Sequence, residues 1–318
     1  NTSLEPISAK ASYTAYLPSF NLVGDITPEV QARFAVFRAL SRPDPSALGY
    51  GRTFRTLTDT DATSISEIVG SATADGNPFL DPLLSWNFDA ALEYYPNDDT
   101  IVAAGVYLKK FNGGFQPVGQ FETFEVNGEQ FQTLVTATET TDDTSTIVGF
   151  EATLAHRLSW LPKPLDGLGF KLSYNFADSN FEVQDGSLGS FGTVQPDGTV
   201  TFNGALIPPA NLFGLSKHVL SAQVYYQIGG LDIQGVYKYR SAYYQQFVGD
   251  SSSRLRYTDA ADVFEARISY KVTDNIRLSL EGINLFGEPR TDFRPTIGDL
   301  SQNLVYGPRY FFGVRGKF

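Results

Sequence analysis

The feature that most constrains this chain is an alternation of apolar and polar side chains that returns along most of its length. In residues 264–272 (FEARISYKV), apolar and aromatic residues occupy the even positions and polar residues the odd ones. Residues 220–228, 231–240 and 276–282 show the same period. Successive side chains of a β-strand point to opposite faces, so this period predicts strands with one apolar and one polar face.

The alternation predicts about eleven strands, each with roughly the 9–11 residues or more that a tilted strand needs to cross a bilayer. Residues 27–40 also fit a helix, with Thr27 as N-cap and Pro28 at the first helical position. Their place after a tight turn and between two strand patterns favours a strand. The predicted strands are 12–23, 30–41, 85–95, 100–111, 145–159, 168–179, 217–228, 231–243, 260–272, 275–286 and 304–318.

The connections between these strands alternate in length. Short turns are predicted at 25–28, 96–99, 162–169, 229–230 and 273–275, and long polar stretches at about 42–84, 112–144, 180–216, 244–260 and 287–303. A soluble two-sheet protein has no reason to keep its short turns at one end. Barrels of the outer membrane do so, because short turns face the periplasm and long loops the exterior. The sequence therefore predicts an all-β, antiparallel transmembrane β-barrel.

Composition argues against several other classes. The chain has no cysteine, which removes disulfides and thiolate metal sites, and its net charge of −11 argues against a nucleic-acid partner. The sequence has no run of roughly 18 apolar residues, so it does not predict a membrane-spanning helix. The two histidines, His156 and His218, lie in separate predicted strands, and the common catalytic motifs are missing. We therefore expect no enzymatic activity, no catalytic residue, no metal site and no cofactor.

Four stretches carry a resemblance to a known family. The ending YGPRYFFGVRGKF (306–318) looks like the closing strand of an outer-membrane barrel. Three further stretches resemble pieces of TonB-dependent receptors, namely 17–48 (LPSFNLVGDIT…FRALSRPDPSAL), 76–96 (GNPFLDPLLSWNFDAALEYYP) and 280–289 (LEGINLFGEP). In such barrels the terminal strand carries an assembly signal, which here corresponds to Tyr310, Phe312, Val314 and Phe318.

The resemblance implies that residues 1–318 are the carboxyl-terminal half of one barrel domain of roughly 22 strands, without its plug and amino-terminal strands. It implies a location in the outer membrane of a Gram-negative bacterium. The implied partners are outer-membrane lipid, lipopolysaccharide, the amino-terminal plug and strands of the same protein, TonB, the barrel-assembly machinery and a small nutrient ligand. The implied function is active import of a scarce nutrient, with an oligosaccharide favoured. A ferric-siderophore or other metal-chelate receptor and a passive porin-like or structural barrel remain alternatives.

Ligand contacts are expected in the long connections and the upper lumen, where variable side chains stand on a rigid wall. Aromatic faces with planar donors suit sugar rings, whereas clustered arginines suit an anionic chelate. Two acidic runs, 58–63 (TDTDAT) and 140–145 (TTDDTS), offer oxygen ligands for calcium, and solvated acidic loops explain them equally. The ligand candidates are Tyr50, Arg52, Phe54, Arg55, Tyr243, Tyr244, Arg254, Arg256, Tyr257, Arg290 and Arg294.

Overall fold

Antiparallel strands make up most of the structure, a computed structural model. It describes residues 9–56, 61, 63–126, 128–181, 191–194, 200–203, 211–245, 256–293 and 300–317. Within these parts of the chain, no helix has the length and apolarity needed to span a bilayer.

The first strands form hairpins separated by one long insertion. They are β1 (Ser19–Thr27), β2 (Val30–Ser41), β3 (Arg52–Thr56), β4 (Val69–Ala74), β5 (Leu83–Asn97), β6 (Thr100–Val126), β7 (Glu129–Arg157) and β8 (Leu168–Ser179). Short helices occupy Pro45–Leu48, Ile65–Ile68 and Leu165–Gly167.

The later strands follow the same plan, with small strands inside the long connections. They are β9 (Phe191–Val194), β10 (Val200–Asn203), β11 (His218–Ile228), β12 (Leu231–Arg240), β13 (Tyr243–Gln245), β14 (Arg256–Thr258), β15 (Ala261–Lys271), β16 (Ile276–Ile283), β17 (Arg290–Phe293), β18 (Leu300–Leu304) and β19 (Arg309–Gly316).

The main sheet confirms the predicted number of long strands. Its path is β1-β2-β5-β6-β7-β8-β11-β12-β15-β16-β19, which is eleven strands, with β3 and β4 attached through β7. Separate small sheets join β9 with β10, and β13, β14, β17 and β18 in that order. Each long strand pairs with its sequence neighbours among the long strands, as expected for an up-and-down antiparallel fold.

Strand pairing keeps the apolar and polar faces continuous from strand to strand. One apolar row crosses β8 to β19, and one polar row crosses β11 to β19. The apolar row is Leu168, Tyr226, Ile233, Ile268, Leu280 and Phe312, and the polar row is Gln227, Asp232, Ser269, Ser279 and Gly313.

Polar side chains on the second face bond to one another across neighbouring strands. Lys238 Nζ lies 2.8 Å from Glu265 Oε2, and Gln223 Nε2 donates to Gln234 Oε1 at 3.1 Å. The register therefore gives one face for hydrocarbon and one for a polar lumen, as the sequence predicted.

The first hairpin lies later in the sequence than predicted. Strand β1 covers Ser19–Thr27 rather than 12–23, and the turn follows at residues 28–29. Thr27 Oγ1 accepts hydrogen bonds from the amides of Glu29 at 3.3 Å and Val30 at 3.1 Å. The threonine that suggested a helix N-cap thus caps a β-turn, and residues 30–41 are a strand.

The long polar loop predicted at 112–144 is wrong, because β6 and β7, which are 27 and 29 residues long, both extend into it. Side chains from 131 to 138 alternate between buried and exposed, with Phe131, Thr133, Val135 and Ala137 buried. Threonine is polar but favours strands, so a stretch rich in Thr and Val forms paired β-strands rather than a loop.

The chain divides into two compact units. The first comprises residues 1–20, 36–87 and 109–145, and its small core contains Ala72, Phe131 and Val135. The second comprises residues 21–35, 88–108 and 146–318, and holds the paired strands from β8 to β19.

Candidate ligand-binding site

The first unit contains a cleft of ≈ 460 Å³ beside the β6–β7 hairpin, called here the hairpin cleft. It is open to solvent, and the rings of Tyr50 and Phe79 are 48% and 59% exposed. Amide, carboxylate and guanidinium groups surround these rings, so the cleft combines flat apolar faces with planar hydrogen-bonding groups. Its lining residues are Tyr50, Arg52, Gly76, Asn77, Pro78, Phe79, Asp81, Gln120, Ala137, Glu139 and Thr140.

One wall of the cleft is residues 76–81 (GNPFLD), which hydrogen bonds hold to the neighbouring segments. The Asn77 side chain donates to Thr138 O at 2.9 Å and accepts from the amide of Phe79 at 2.9 Å. A β-carbon at Gly76 would lie 2.7 Å from Ala47 O, so this close approach requires glycine. The segment is thereby fixed with the ring of Phe79 on its surface.

Arg52 closes the opposite wall through a two-pronged ion pair. Its Nε and Nη2 each donate to a Glu122 carboxylate oxygen at 2.9 Å, and its guanidinium carbon lies 5.3 Å from the centre of the Tyr50 ring. The hydrogen bonds from Arg52 lower the pKa of Glu122, and Glu122 raises the pKa of Arg52. This guanidinium therefore positions Tyr50 and joins β3 to β6.

The other two candidates from this region do not line the cleft. Phe54 packs edge-to-face on Phe124, with ring centres 4.9 Å apart, and lies 6.1 Å from Phe131. Arg55 pairs with Ser71 across β3 and β4. Structural packing thus accounts for Phe54.

The second unit contains a larger cleft of ≈ 640 Å³, called here the arginine cleft. Three arginines contribute to it from different elements, together with two tyrosines and three carboxylates. Its lining residues are Arg240, Tyr243, Thr258, Asp259, Ala261, Val263, Glu265, Ile283, Asn284, Glu288, Pro289, Arg290, Tyr306, Gly307 and Arg309.

Two of the three arginines already have partners. Arg240 donates to Ser216 Oγ at 2.5 Å and to Gly214 O at 2.6 Å, and stacks 3.8 Å from the centre of the Tyr243 ring. Arg290 donates to Asp292 Oδ1 at 3.1 Å. Their charges are therefore partly neutralised or held in place before any ligand arrives.

Asp292 anchors this wall, although it is only 3% exposed. Burial raises the pKa of Asp292. Side-chain hydrogen bonds with Gln245, Arg290 and Thr258 outweigh this effect and leave the pKa below its usual value. Asp292 in turn raises the pKa of Arg290. The pair stays charged at neutral pH and fixes the guanidinium of Arg290.

The small sheet β13-β14-β17-β18 sorts the predicted residues onto two faces. Tyr243 pairs with Thr258 on the cleft side, whereas Tyr244 pairs with Tyr257 on the other side. Tyr257 stacks on Phe293 with ring centres 5.4 Å apart. Tyr244 and Tyr257 therefore support the sheet, and Tyr243 faces the cleft.

Several remaining candidates lie elsewhere. Arg256 is outside both clefts, and its Nε is buried without a hydrogen-bond partner among the described residues. Arg254, Arg294 and Phe318 fall outside the described residues, as does most of the acidic run at 58–63. The run at 140–145 lies within β7 rather than in a loop. No group of metal-ligating side chains occurs in the parts of the chain that are described.

Sequence reasoning missed most of each cleft, since only Tyr50 and Arg52 of the predicted candidates line the hairpin cleft and only Tyr243 and Arg290 line the arginine cleft. Gln120 and Glu139 lie in the stretch that was expected to be a loop, and Phe79 lies in the segment that carried the family resemblance. Arg309, in turn, lies in the terminal strand. The exposed aromatic in GNPF was the one signal available, because a fixed turn that presents a ring to solvent suggests binding.

Comparison with known proteins places this fold in a family. The family described as TonB dependent receptor-like, beta-barrel, matches residues 1–285. A ferric enterobactin receptor (PfeA) mutant from Pseudomonas aeruginosa superposes with a TM-score of 0.61 at 15% identity, covering 95% of this chain and 40% of that one. A search of curated proteins finds no match.

Two further solved structures show the same fold. The siderophore receptor PirA from Acinetobacter baumannii gives a TM-score of 0.59 at 14% identity, covering 95% of this chain and 41% of that one. The copper transporter OprC gives 0.55 at 14% identity, covering 94% and 39%. This chain thus spans about 40% of the length of the PfeA structure.

The chain belongs to the TonB-dependent receptor β-barrel family, which consists of receptors and transporters. It is accordingly an outer-membrane protein of a Gram-negative bacterium, and the predicted fold class, family and location are confirmed.

Proposed function

We propose that this chain is the carboxyl-terminal part of an outer-membrane receptor that imports a scarce nutrient with energy supplied through TonB. Family membership and a chain that spans about 40% of the solved PfeA structure support this. In this proposal the amino-terminal plug and strands belong to the same protein. The barrel-assembly machinery inserts it, and lipopolysaccharide surrounds its outer half.

The proposed cargo is a neutral oligosaccharide, bound first in the hairpin cleft. The observation that carries this is the division of roles inside the cleft. Arg52 is committed to Glu122, whereas the rings of Tyr50 and Phe79 are about half exposed. Sugar rings stack on such faces, and their hydroxyl groups bond to planar amides and carboxylates such as those of Gln120 and Glu139.

A ferric siderophore or another metal chelate is the second candidate cargo. The arginine cleft favours it, since Arg240, Arg290 and Arg309 line one volume. Arginine is suited to anionic, planar ligands. Two of the structurally similar receptors are named for siderophores or ferric enterobactin. Against it, Arg240 and Arg290 are already bonded within the protein.

Uptake of labelled neutral oligosaccharides and of ferric catecholates by cells that carry the full-length receptor separates these cargoes. We expect oligosaccharide uptake that stops when TonB is deleted. Tyr50→Ala and Phe79→Ala should each weaken oligosaccharide binding about three- to tenfold, because each removes one stacking face. Phe121→Ala is the matched control, since this exposed ring on the neighbouring β6–β7 hairpin lies outside the cleft.

Ferric catecholate uptake that is unaffected by the Tyr50 and Phe79 substitutions would favour the second candidate. Uptake that continues without TonB would instead favour a passive pore and contradict the proposed function.

A further inference from the structure

The hairpin cleft carries more negative than positive charge. Among the described residues that line it, Arg52 is cationic and Asp81 and Glu139 are anionic. Arg52 donates from Nε and Nη2 to the Glu122 carboxylate at 2.9 Å, so its charge is already neutralised. None of the ion pairs within the described residues involves Asp81 or Glu139. Two carboxylates therefore line the cleft without a cationic partner in the described part of the chain.

Local contacts fix the segments that carry these two carboxylates. Asp81 follows the buried Leu80, and its amide donates to Thr140 Oγ1 at 3.0 Å. Glu139 directly precedes Thr140 on β7 and falls on the same face of the strand as the buried Ala137. The two carboxylates therefore stand on adjoining segments of one cleft, and both attract a cation that enters it.

The exposed rings of the cleft add to this preference for a cation. The ring of Phe79 is 59% exposed and that of Tyr50 is 48% exposed. The face of an aromatic ring is the negative part of its quadrupole, so it attracts an ammonium group as well as the apolar face of a sugar. The carboxylates attract the same ammonium group and repel an anion. Rings and carboxylates together thus favour a sugar that carries a positive charge.

A divalent metal ion is the alternative occupant for this pair of carboxylates. Calcium takes about six to eight oxygen ligands. The described residues contain no group of three or more metal-ligating side chains, so Asp81 and Glu139 fall short of a protein-built calcium site. An ammonium group needs fewer ligands, and it also uses the exposed rings, which a metal ion would leave without a role.

We infer that the hairpin cleft selects among oligosaccharides by charge, and that Asp81 and Glu139 determine this specificity. The cleft accepts a neutral sugar and binds the same sugar more tightly when protonated amino groups replace hydroxyl groups. It rejects sugars that carry carboxylate or sulfate groups. This inference rests on the proposed function, because it presupposes that sugars enter the cleft.

The test compares three sugars of one length and one linkage on the full-length receptor in nanodiscs. The probes are cellotetraose, the corresponding glucosamine tetramer and the corresponding glucuronic acid tetramer, titrated by calorimetry in a mildly acidic buffer that keeps the amines protonated. We expect the glucosamine tetramer to bind about fivefold more tightly than cellotetraose and the acidic tetramer about fivefold more weakly, because each exposed ion pair contributes about two- to threefold. These differences should shrink at about 1 M salt, where the Debye length is about 3 Å.

The readout for variants is the ratio of the glucosamine and cellotetraose affinities, which a general loss of sugar binding leaves unaffected. Asp81→Asn/Glu139→Gln should bring this ratio close to one. Glu125→Gln removes an exposed carboxylate that does not line the cleft and should keep the wild-type ratio, which controls for the general attraction of cations to an acidic chain. Heat-modifiable mobility reports folding. If the double variant does not fold, Asp81→Asn alone must lower the ratio about twofold.

Three outcomes would overturn the inference. The first is an unchanged ratio in the double variant. The second is equal affinity for all three sugars together with a loss in Tyr50→Ala, which would leave the proposed function standing. The third is cellotetraose binding that disappears when a chelator removes divalent ions, since the carboxylates would then serve a metal. Binding of none of the three tetramers would contradict the proposed sugar cargo itself.

Discussion

At the scale of single residues, side-chain facing could be predicted from the sequence more reliably than binding. The two-residue period placed Leu280 and Phe312 on one face and Ser279 on the other, and the register of β16 with β19 agrees. Phe54 shows what the sequence alone leaves out. An aromatic residue in a predicted loop looks free for a ligand, but its partners Phe124 and Phe131 come from distant sequence.

Leu280→Arg should destabilise the folded barrel far more than Ser279→Arg. An arginine on the hydrocarbon face near the midplane costs about 2–4 kcal/mol, whereas a lumen position is mostly tolerant. Ser279 is a suitable control because it pairs with Gly313, which leaves space on the lumen face. The measurement is reversible unfolding of the full-length protein in lipid. Equal losses would mean that the two faces are not hydrocarbon and lumen. Ser269 would be a poor control, since it is only 3% exposed beneath Arg277.

At the scale of elements, the positions of the long strands were predictable, whereas the strands inside the long connections were not. The β6–β7 hairpin was missed because its Thr, Gln and Glu content was interpreted as loop. Alternation between Thr133, Val135 and Ala137 and their exposed neighbours was present in the sequence, but burial against β4 was needed to give it meaning. The role of Phe318 in assembly stays a prediction, since it lies outside the described residues.

The Arg52–Glu122 pair should make the hairpin sensitive to acid. Arg52 lowers the pKa of Glu122 in the folded state, so the pair stabilises above the unfolded pKa of about 4.3. That stabilisation is lost as pH falls through the lower, folded pKa. Both side chains are less than a quarter exposed (19% and 23%). We expect the pair to contribute about 1 kcal/mol to the free energy of unfolding.

Hydrogen exchange of the β3 and β6 amides, corrected for intrinsic rates, measures this effect. Protection in the wild type should be constant from neutral pH to about pH 5 and fall below about pH 4. Glu122→Gln should show the lower protection throughout. Glu125→Gln, which changes an exposed carboxylate on the same strand, should behave like the wild type. An unchanged acid response in Glu122→Gln would contradict this account.

At the scale of the whole molecule, the sequence predicted the fold class, the family and the outer-membrane location. Strand period and the alternation of connection lengths carried that information. The cargo could not be predicted in the same way, because each cleft gathers side chains from separated segments. The hairpin cleft joins Tyr50, Phe79, Gln120 and Glu139. Only the pairing of strands brings these positions together.

The predicted orientation can be tested with single cysteines, since residues 1–318 contain none. We expect cysteines at Ser46 and Gln302, both exposed in long connections, to react with a membrane-impermeant maleimide on intact cells. A cysteine at Asp98, in a short turn, should react only after the outer membrane is opened. The reverse pattern would invert the topology.

The ladder of β6 and β7 also bears on how such a receptor can diverge. Main-chain hydrogen bonds and a few buried residues such as Phe131 and Val135 hold the hairpin, while Gln120 and Glu139 extend from it into the cleft. Replacement of either polar side chain therefore leaves the scaffold intact. Natural selection can exchange the recognition residues one at a time, so descendants of one ancestral hairpin can acquire different nutrients without passing through an unfolded intermediate.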